Sequence, residues 1–260
     1  MNKKFLSKLI IMALTVTTLS TCFYNIKSVN ALPKDNNITQ EAEQFKFDKE
    51  NIVNRFKSLL ENNKSEEFTI IQEENYKGII NNKTGDIIHE FYNESGDIVD
   101  SYSTNFYENI ENIENNLEIN TYNTIVKNSI PYKLNSQHYT IAVYSGKQKL
   151  YAQNARGHSK SYYLKGKYTD SSNAHIKRFI NAVDTTASRA RLFVNTVGVS
   201  GAVALVGYFG IGGKITVAAL SAALKALGLG GLIGGAAGIV KLYNNYVDAR
   251  IQGDHCYNAL

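Results

Sequence analysis

Between Leu192 and Val240 lie 49 residues without one Asp or Glu, with Lys214 and Lys225 as their sole bases and 12 of the chain's 19 glycines. A stretch this apolar has two stable homes, the centre of a folded core or a lipid bilayer. Leu192 to Gly213 is an uncharged run of 22 residues. As a helix it would be ~33 Å long, about the thickness of the hydrocarbon layer. Ile215 to Val240 is a second run of 26 residues with Lys225 near its middle. A lysine at that depth costs on the order of 3 kcal/mol unless it faces a partner helix or reaches water. Glycine is a poor helix former in water, so its density here needs another reason. Gly230 and Gly234, Gly231 and Gly235, and Gly234 and Gly238 are each four apart. On a helix that spacing makes a small-residue stripe against which a second backbone packs closely inside lipid. Gly210, Gly212 and Gly213 beside Lys214 supply a turn, so a helical hairpin is expected. A buried hairpin in a soluble core, or a plain membrane anchor, is the competing reading.

Ahead of the apolar run, Ser172 or Asn173 is placed to cap a helix with Ile176, Phe179, Ile180 and Val183 on one side. Lys177, Arg178, Arg189 and Arg191 fall elsewhere on it, a basic lead-in suited to an anionic bilayer. Together with Lys214, Lys225 and Lys241 they are the expected membrane-docking cations, and Gly230, Gly231, Gly234, Gly235 and Gly238 the expected helix-packing residues.

Charge divides the chain. Residues 32–130 carry nine bases and 19 acids, a balance of −10, whereas 131–260 carry 15 bases and four acids, or +11. The halves are two domains with different partners, or one part masks the other, or each merely has a solvated surface of its own sign. In the acidic part Asp48 is expected to cap a helix bearing Ile52, Val53, Phe56, Leu59 and Leu60. Phe68, Ile70, Ile79, Ile87 and Phe91 then follow a two-residue period, and the turn at 82–87 recurs eleven residues later at 93–98, which predicts a small β-meander. Asp86, Glu90, Glu94, Asp97 and Asp100 fit no calcium loop and are expected on its solvent face. Phe106, Ile110, Ile113 and Leu117 predict a second helix, and 115–131 a linker.

Tyrosines 132, 139, 144, 151, 162, 163 and 168 alternate with Lys133, Lys147, Lys149, Arg156, Lys160, Lys165 and Lys167. Strands are expected here, with Ser145-Gly146-Lys147 as a hairpin turn. Aromatics interleaved with cations on a sheet bind single-stranded nucleic acid or anionic surfaces; a packed tyrosine-rich sheet is the plain alternative. The fold class predicted is α+β, in four parts: 1–31, 32–130, 131–168 and 169–260.

Residues 1–31 read as a secretory signal peptide, with Lys3, Lys4 and Lys8, an apolar run Leu9 to Leu19, and Ser28-Val29-Asn30-Ala31 before the expected cut. Lipidation at Cys22 is the rival, but Thr21 stands where such sites carry a smaller residue. After the cut Cys256 is the one cysteine left, either idle or bonded to a second copy. His255 beside it is no catalytic base, because adjacent residues seldom reach in-line geometry. No phosphate loop, dinucleotide fingerprint, zinc-protease motif or nucleophile elbow occurs. No enzyme, cofactor, metal site or nucleic-acid partner is therefore expected.

A signal peptide, a long polar middle and a cationic Gly/Ala-rich apolar end resemble the large secreted bacteriocins of Gram-positive bacteria, of the geobacillin type, and in layout closticin-type precursors. The residues carrying the likeness are Leu192 to Val240, with Gly198, Gly201, Gly207, Gly210, Gly212, Gly213 and the cluster from Gly228 to Gly238, and the polar tail holding Cys256. The resemblance implies an antibacterial protein acting at the membrane of related bacteria, an immunity partner, self-association through the hairpin or Cys256, and an acidic part that is removed or silences the rest. A surface-anchored binding or structural protein without killing activity is the alternative.

Overall fold

Apolar residues seven and four apart mark the first described helix: Phe45, Ile52, Phe56 and Leu60 are all buried on one face of α1 (Asp35–Asn62). The computed structural model describes residues 35–114, 125–129, 132 and 134–260. Residues 1–31, where a signal peptide is expected, most of the expected linker at 115–131 and Leu117 lie outside them. Residues from Ala42 to Leu260 form one compact unit, and all contacts below belong to it. Asp48 does not cap α1. It sits inside the helix, buried, and accepts from Gln44 Nε2 at 2.7 Å and from the Ser200 hydroxyl, so the helix runs on through it.

Four strands follow as an antiparallel meander: β1 (Phe68–Glu73), β2 (Tyr76–Asn81), β3 (Asp86–Tyr92) and β4 (Ile98–Asn105), paired in chain order. Its buried face carries Tyr76, Ile80, Ile87, His89 and Phe91. Phe68 and Ile70 point to solvent instead of inward, since Phe68 pairs with Asn81 and Ile71 with Gly78, and strict alternation then sends the odd set inward. Gly85, at φ +74°, turns the chain between β2 and β3 where Tyr107 would collide with a Cβ. The side chain of Asn105 then accepts from Glu108 N at 3.0 Å and starts α2 (Phe106–Glu114), whose Phe106, Ile110 and Ile113 are buried.

The second sheet is also a four-stranded antiparallel meander: β5 (Ile125–Asn128), β6 (His138–Tyr144), β7 (Lys147–Gln153) and β8 (Ser159–Tyr163). The linker expected at 115–131 thus contains a strand. Tyr139, Ile141, Leu150 and Ala152 point inward and meet Ile176, Phe179, Ile180 and Val183 of α3 (Ala174–Phe209). A 3-10 turn, Ser171–Asn173, leads into α3, and the Asn173 side chain donates to Lys165 O and Lys167 O in place of the expected cap.

The long helix breaks at Gly198, whose φ of 74° and ψ of 168° are not helical, so the bilayer-length run from Leu192 is not one straight helix here. After α3 come α4 (Val217–Ala226), a 3-10 segment Gly230–Gly235, and α5 (Ala236–Asn258). The second expected arm is thus interrupted. Leu227 ends α4 and Gly228 turns at φ +66°. Phe193 rests on Tyr243 and Tyr246, Phe209 on Tyr243, and Phe179 on Tyr257, which sets α3 and α5 antiparallel. The described residues thus form a mixed α/β fold of two four-stranded antiparallel sheets and five α-helices, with a long helix in the second half of the chain.

One hydrophobic cluster joins α1, the first sheet and α2 to the second half of α3, α4 and α5. Phe56 stacks on Phe106 with ring centroids 3.8 Å apart, both fully buried. Phe56→Ala should lower stability by about 3–5 kcal/mol, the usual range for an emptied aromatic site, read as a shift in urea midpoint at constant slope.

Candidate functional site

Every residue from Gly201 to Gly210 is buried, so this end of α3 has no face left for water. Its close neighbours explain two of its small residues. A Cβ on Gly207 would stand 2.7 Å from Ile110 Cδ1, and Ala202 and Ala204 are 0% exposed. A helix end inside a core must also find partners for its last carbonyls. Asn109 Nδ2 donates to Gly207 O at 3.0 Å, the Thr104 hydroxyl to Tyr208 O at 3.0 Å, and the Tyr243 hydroxyl to Gly210 O at 2.6 Å. Gly210 N returns to Val206 O at 2.9 Å. Two of these side-chain donors come from the acidic half, which thus covers the apolar helix and caps its end.

α4 is covered from the same side. Lys225 pairs with Glu73 of β1, and Arg55 of α1 donates to Leu227 O and Gly228 O at 3.4 Å. The Asn244 side chain of α5 brackets the α3–α4 link, accepting from Ile215 N at 2.9 Å and donating to Ile215 O at 3.0 Å.

At the centre of the seam between the first sheet and α3 is His89, which is 0% exposed. Its Nε2 lies 2.9 Å from the Thr104 hydroxyl and its Nδ1 2.9 Å from the Tyr76 hydroxyl. Because Thr104 gives its proton to Tyr208 O, it accepts from Nε2–H, and Nδ1 accepts from Tyr76. Tyr76 and Tyr208 hydroxyls are 3.4 Å apart. The rings of Tyr102, Tyr208 and Phe209 enclose the imidazole. Burial pushes the His89 pKa down to about 3, against a smaller opposing effect of the Tyr208 backbone. Burial likewise raises the phenols of Tyr76, Tyr102 and Tyr208.

The sequence-predicted cations do not converge. Lys214 pairs with Asp248 at 3.1 Å, Lys225 with Glu73, and the Arg191 guanidinium lies 5.5 Å over the Tyr132 ring. Lys177 is half-buried; Arg178, Arg189 and Lys241 are exposed. The glycine stripe is split between the 3-10 segment and the start of α5. Gly230, Gly231, Gly235 and Gly238 are exposed, and a Cβ on Gly231, Gly235 or Gly238 would meet nothing within 4 Å. Gly228 has turned the chain before the stripe begins, so its glycines do not form one continuous helical seam.

A polar cleft that sequence reasoning missed opens among α2, the β7–β8 turn and α5. It measures about 620 Å³, with Glu108, Asn109, His138, Arg156 and Arg250 in its walls. Arg250 forks two backbone carbonyls, Ile211 O at 3.2 Å and Ala155 O at 3.1 Å, and the Ser136 hydroxyl also goes to Ala155 O at 2.8 Å. Burial lowers the His138 pKa. Its lining comes from five separate segments of the chain, so no local pattern announces it. Cys256 is a free, half-buried thiol, and among the described residues no three His, Cys, Asp or Glu side chains gather as a cation site. Asp86 is held below the usual carboxylate range by Thr84 and then Asn105.

Family models, curated proteins and solved structures each return no match to this chain.

His89 sets a pH dependence whose sign follows from its two states. The unfolded chain binds a proton near pH 6.5, whereas the folded chain resists until about pH 3. Stability is therefore intact above pH 6.5 and falls as pH drops through that window. By pH 4.5 the loss from this group should be about 2.5 kcal/mol. Urea titrations of wild type and His89→Gln between pH 7 and pH 4 check this: the variant's acid limb should be flatter by that amount.

Proposed function

We propose that the chain is an exported antibacterial protein of the bacteriocin kind, which permeabilises the membrane of related bacteria. The fold described above is its water-soluble form. The observation carrying the reading is the enclosure of an uncharged helix, Gly201 to Phe209, by an acidic cover that fills its last hydrogen bonds. A segment with no polar face is insoluble by itself, and a protein that delivers one to a bilayer must carry it covered.

On this reading residues 1–31 direct export and are removed, and the acidic half silences the apolar end until the target is reached. Opening frees α3 and α4 to insert as a Gly/Ala-rich helical hairpin, with Gly198 taking up helical geometry. Gly230, Gly231, Gly234, Gly235 and Gly238 then supply the small-residue seam in lipid, within one chain or between copies; at Gly231, Gly235 and Gly238 there is open space where a Cβ would stand. No catalytic residue, cofactor, metal or nucleic acid enters the scheme. An immunity partner protects the producer.

Masking has a consequence that an enzyme or a plain binding protein does not share: loosening the cover raises activity. Release of dye from phosphatidylglycerol vesicles is measured for wild type and for Phe56→Ala, in which the cover is weakened but the helix is untouched. The variant should release dye at least ~10-fold faster, the Boltzmann equivalent of ~1.4 kcal/mol in the opening equilibrium. No release from either chain at any lipid charge sinks the reading. A cell-bound pool with no extracellular protein favours the surface-anchored alternative.

A further inference from the structure

The chain from Ile125 to Tyr168 contains no Asp or Glu and eight Lys or Arg, and the second sheet is made entirely from it. Its inner face is closed by α3. On the outer face Tyr144, Lys147, Ser161 and Tyr163 are exposed, and Lys149 and Tyr151 are half-buried. Pairing of Lys149 with Tyr163 and Ala142, and of Tyr151 with Thr140 and Ser161, puts these residues together on that side. The Lys149 ammonium lies 4.7 Å from the Tyr151 ring centroid, 5.4 Å from Tyr163 and 5.8 Å from Tyr144. Three aromatic faces thus hold one cation at the surface, and rings position an ammonium without cancelling its charge.

Around this cluster the edge is both greasy and basic. Tyr144 is 56% and Tyr163 51% exposed, and Ile125, Val126 and Val143 are open to solvent beside them. Lys147, Lys165 and Lys167 are exposed at the same end, because Leu164 N and Tyr168 N bond to Gln148 O and its side chain. Asp170, which is exposed, accepts from Lys167 N at 2.8 Å. Tyrosines with lysines between them and a few aliphatics at the rim match the layered chemistry of a lipid surface: phosphate outside, glycerol at ring depth, acyl chain below.

We propose that the outer face of the second sheet, centred on Lys149 and bounded by Tyr144, Tyr151, Tyr163 and Lys147, docks the protein on a bilayer of anionic phospholipid. This deepens the membrane reading above and rests on it for the choice of partner. It also moves the docking site. Arg178 and Arg189 fall at 100° per residue on the side of α3 opposite Ile176, Phe179, Ile180 and Val183, the residues that pack on the sheet. Both are exposed, and they face away from the sheet, so one flat membrane meets the sheet or these arginines, not both.

Flotation with vesicles of phosphatidylglycerol and phosphatidylcholine, and of phosphatidylcholine alone, tests this. Wild type should float with the anionic vesicles only and detach in salt. Lys147→Gln with Lys149→Gln should weaken partitioning about 30-fold, two cations' worth. Lys147→Gln with Lys165→Gln, which leaves the Lys149 cage intact, should weaken it by a similar factor. Arg178→Gln with Arg189→Gln should leave it unchanged. Loss with the arginine pair and retention with both lysine pairs overturns the proposal. So does a chain that ignores vesicles but binds purified wall teichoic acid or single-stranded DNA. Dye release in the same tubes separates the two ideas: flotation without release leaves docking standing and removes permeabilisation, whereas release and flotation unaltered in both lysine pairs removes docking alone.

Discussion

A helix without a polar face imposes demands that most of this fold exists to meet. Gly201 to Gly210 must be shielded on every side, and the carbonyls at its end must be paired, because a buried carbonyl left alone costs about 1–3 kcal/mol. α5 shields one side through Tyr243 and Tyr246, α2 another through Phe106 and Ile110, and the first sheet a third through Tyr76 and Phe91. Close approach is bought by small residues: Gly207 admits Ile110, and Gly78 of β2 admits the Tyr208 hydroxyl, which would stand 2.6 Å from an added Cβ. The acidic half is thus part of the same core as the apolar helix, joined by rings and by specific donors rather than by opposite net charge. Of the ion pairs described, Lys225–Glu73 alone links the acidic half to α4, and it is largely exposed.

Much of this was legible in the amino-acid order. The stripe Ile176, Phe179, Ile180, Val183 lies on one buried face, as does the set Phe106, Ile110, Ile113. The first meander and the Ser145-Gly146 turn occur where alternation and turn residues put them, whereas β5 lies in the stretch expected to be a linker. The misreadings have physical causes. β1 has apolar side chains on both faces, Phe68 and Ile70 against Ile71, so its period does not say which face is inner; pairing to β2 does. Asp48 looks like a cap because a carboxylate inside a helix is unfavourable in isolation, but Ser200, 152 residues away, satisfies it. The glycines after Gly228 form a 3-10 segment here, where four-residue spacing alone led to the expectation of a continuous helix. The polar cleft escaped because Glu108, His138, Arg156 and Arg250 share no local pattern.

The two sheets treat their tyrosines in opposite ways. In the first, Tyr76 and Tyr102 turn into the core and are drawn into the His89 network, where burial keeps their phenols protonated. In the second, Tyr139 turns in to bond Asp184 at 2.9 Å, while Tyr144 and Tyr163 turn out. A ring that is half apolar and half polar suits either place, and the difference lies in what covers the sheet. The first sheet has its inner face closed by an apolar helix and bears the acids outside; the second is closed by the amphipathic start of α3 and bears lysines outside. The molecule consequently presents a negative surface from one sheet and a positive surface from the other, which gives it an orientation in any external field.

That orientation bears on how a closed form could open. An anionic bilayer attracts the lysine-bearing sheet and repels the acidic cover, so the field at the surface pulls the two halves in opposite senses. The seam between them is the His89 network, where a neutral imidazole is held by Tyr76 on one side and Thr104 on the other. Protons are concentrated near a negative membrane, so the local pH lies below the bulk value and moves into the window in which His89 loses stability. Neither effect alone is large against a domain's stability of 5–15 kcal/mol. They act on the same seam, however, and both vanish away from the membrane. Under the proposed membrane reading, a cover that is firm in the medium and weakest at the lipid surface would follow from where one buried histidine and one lysine-bearing sheet have been placed.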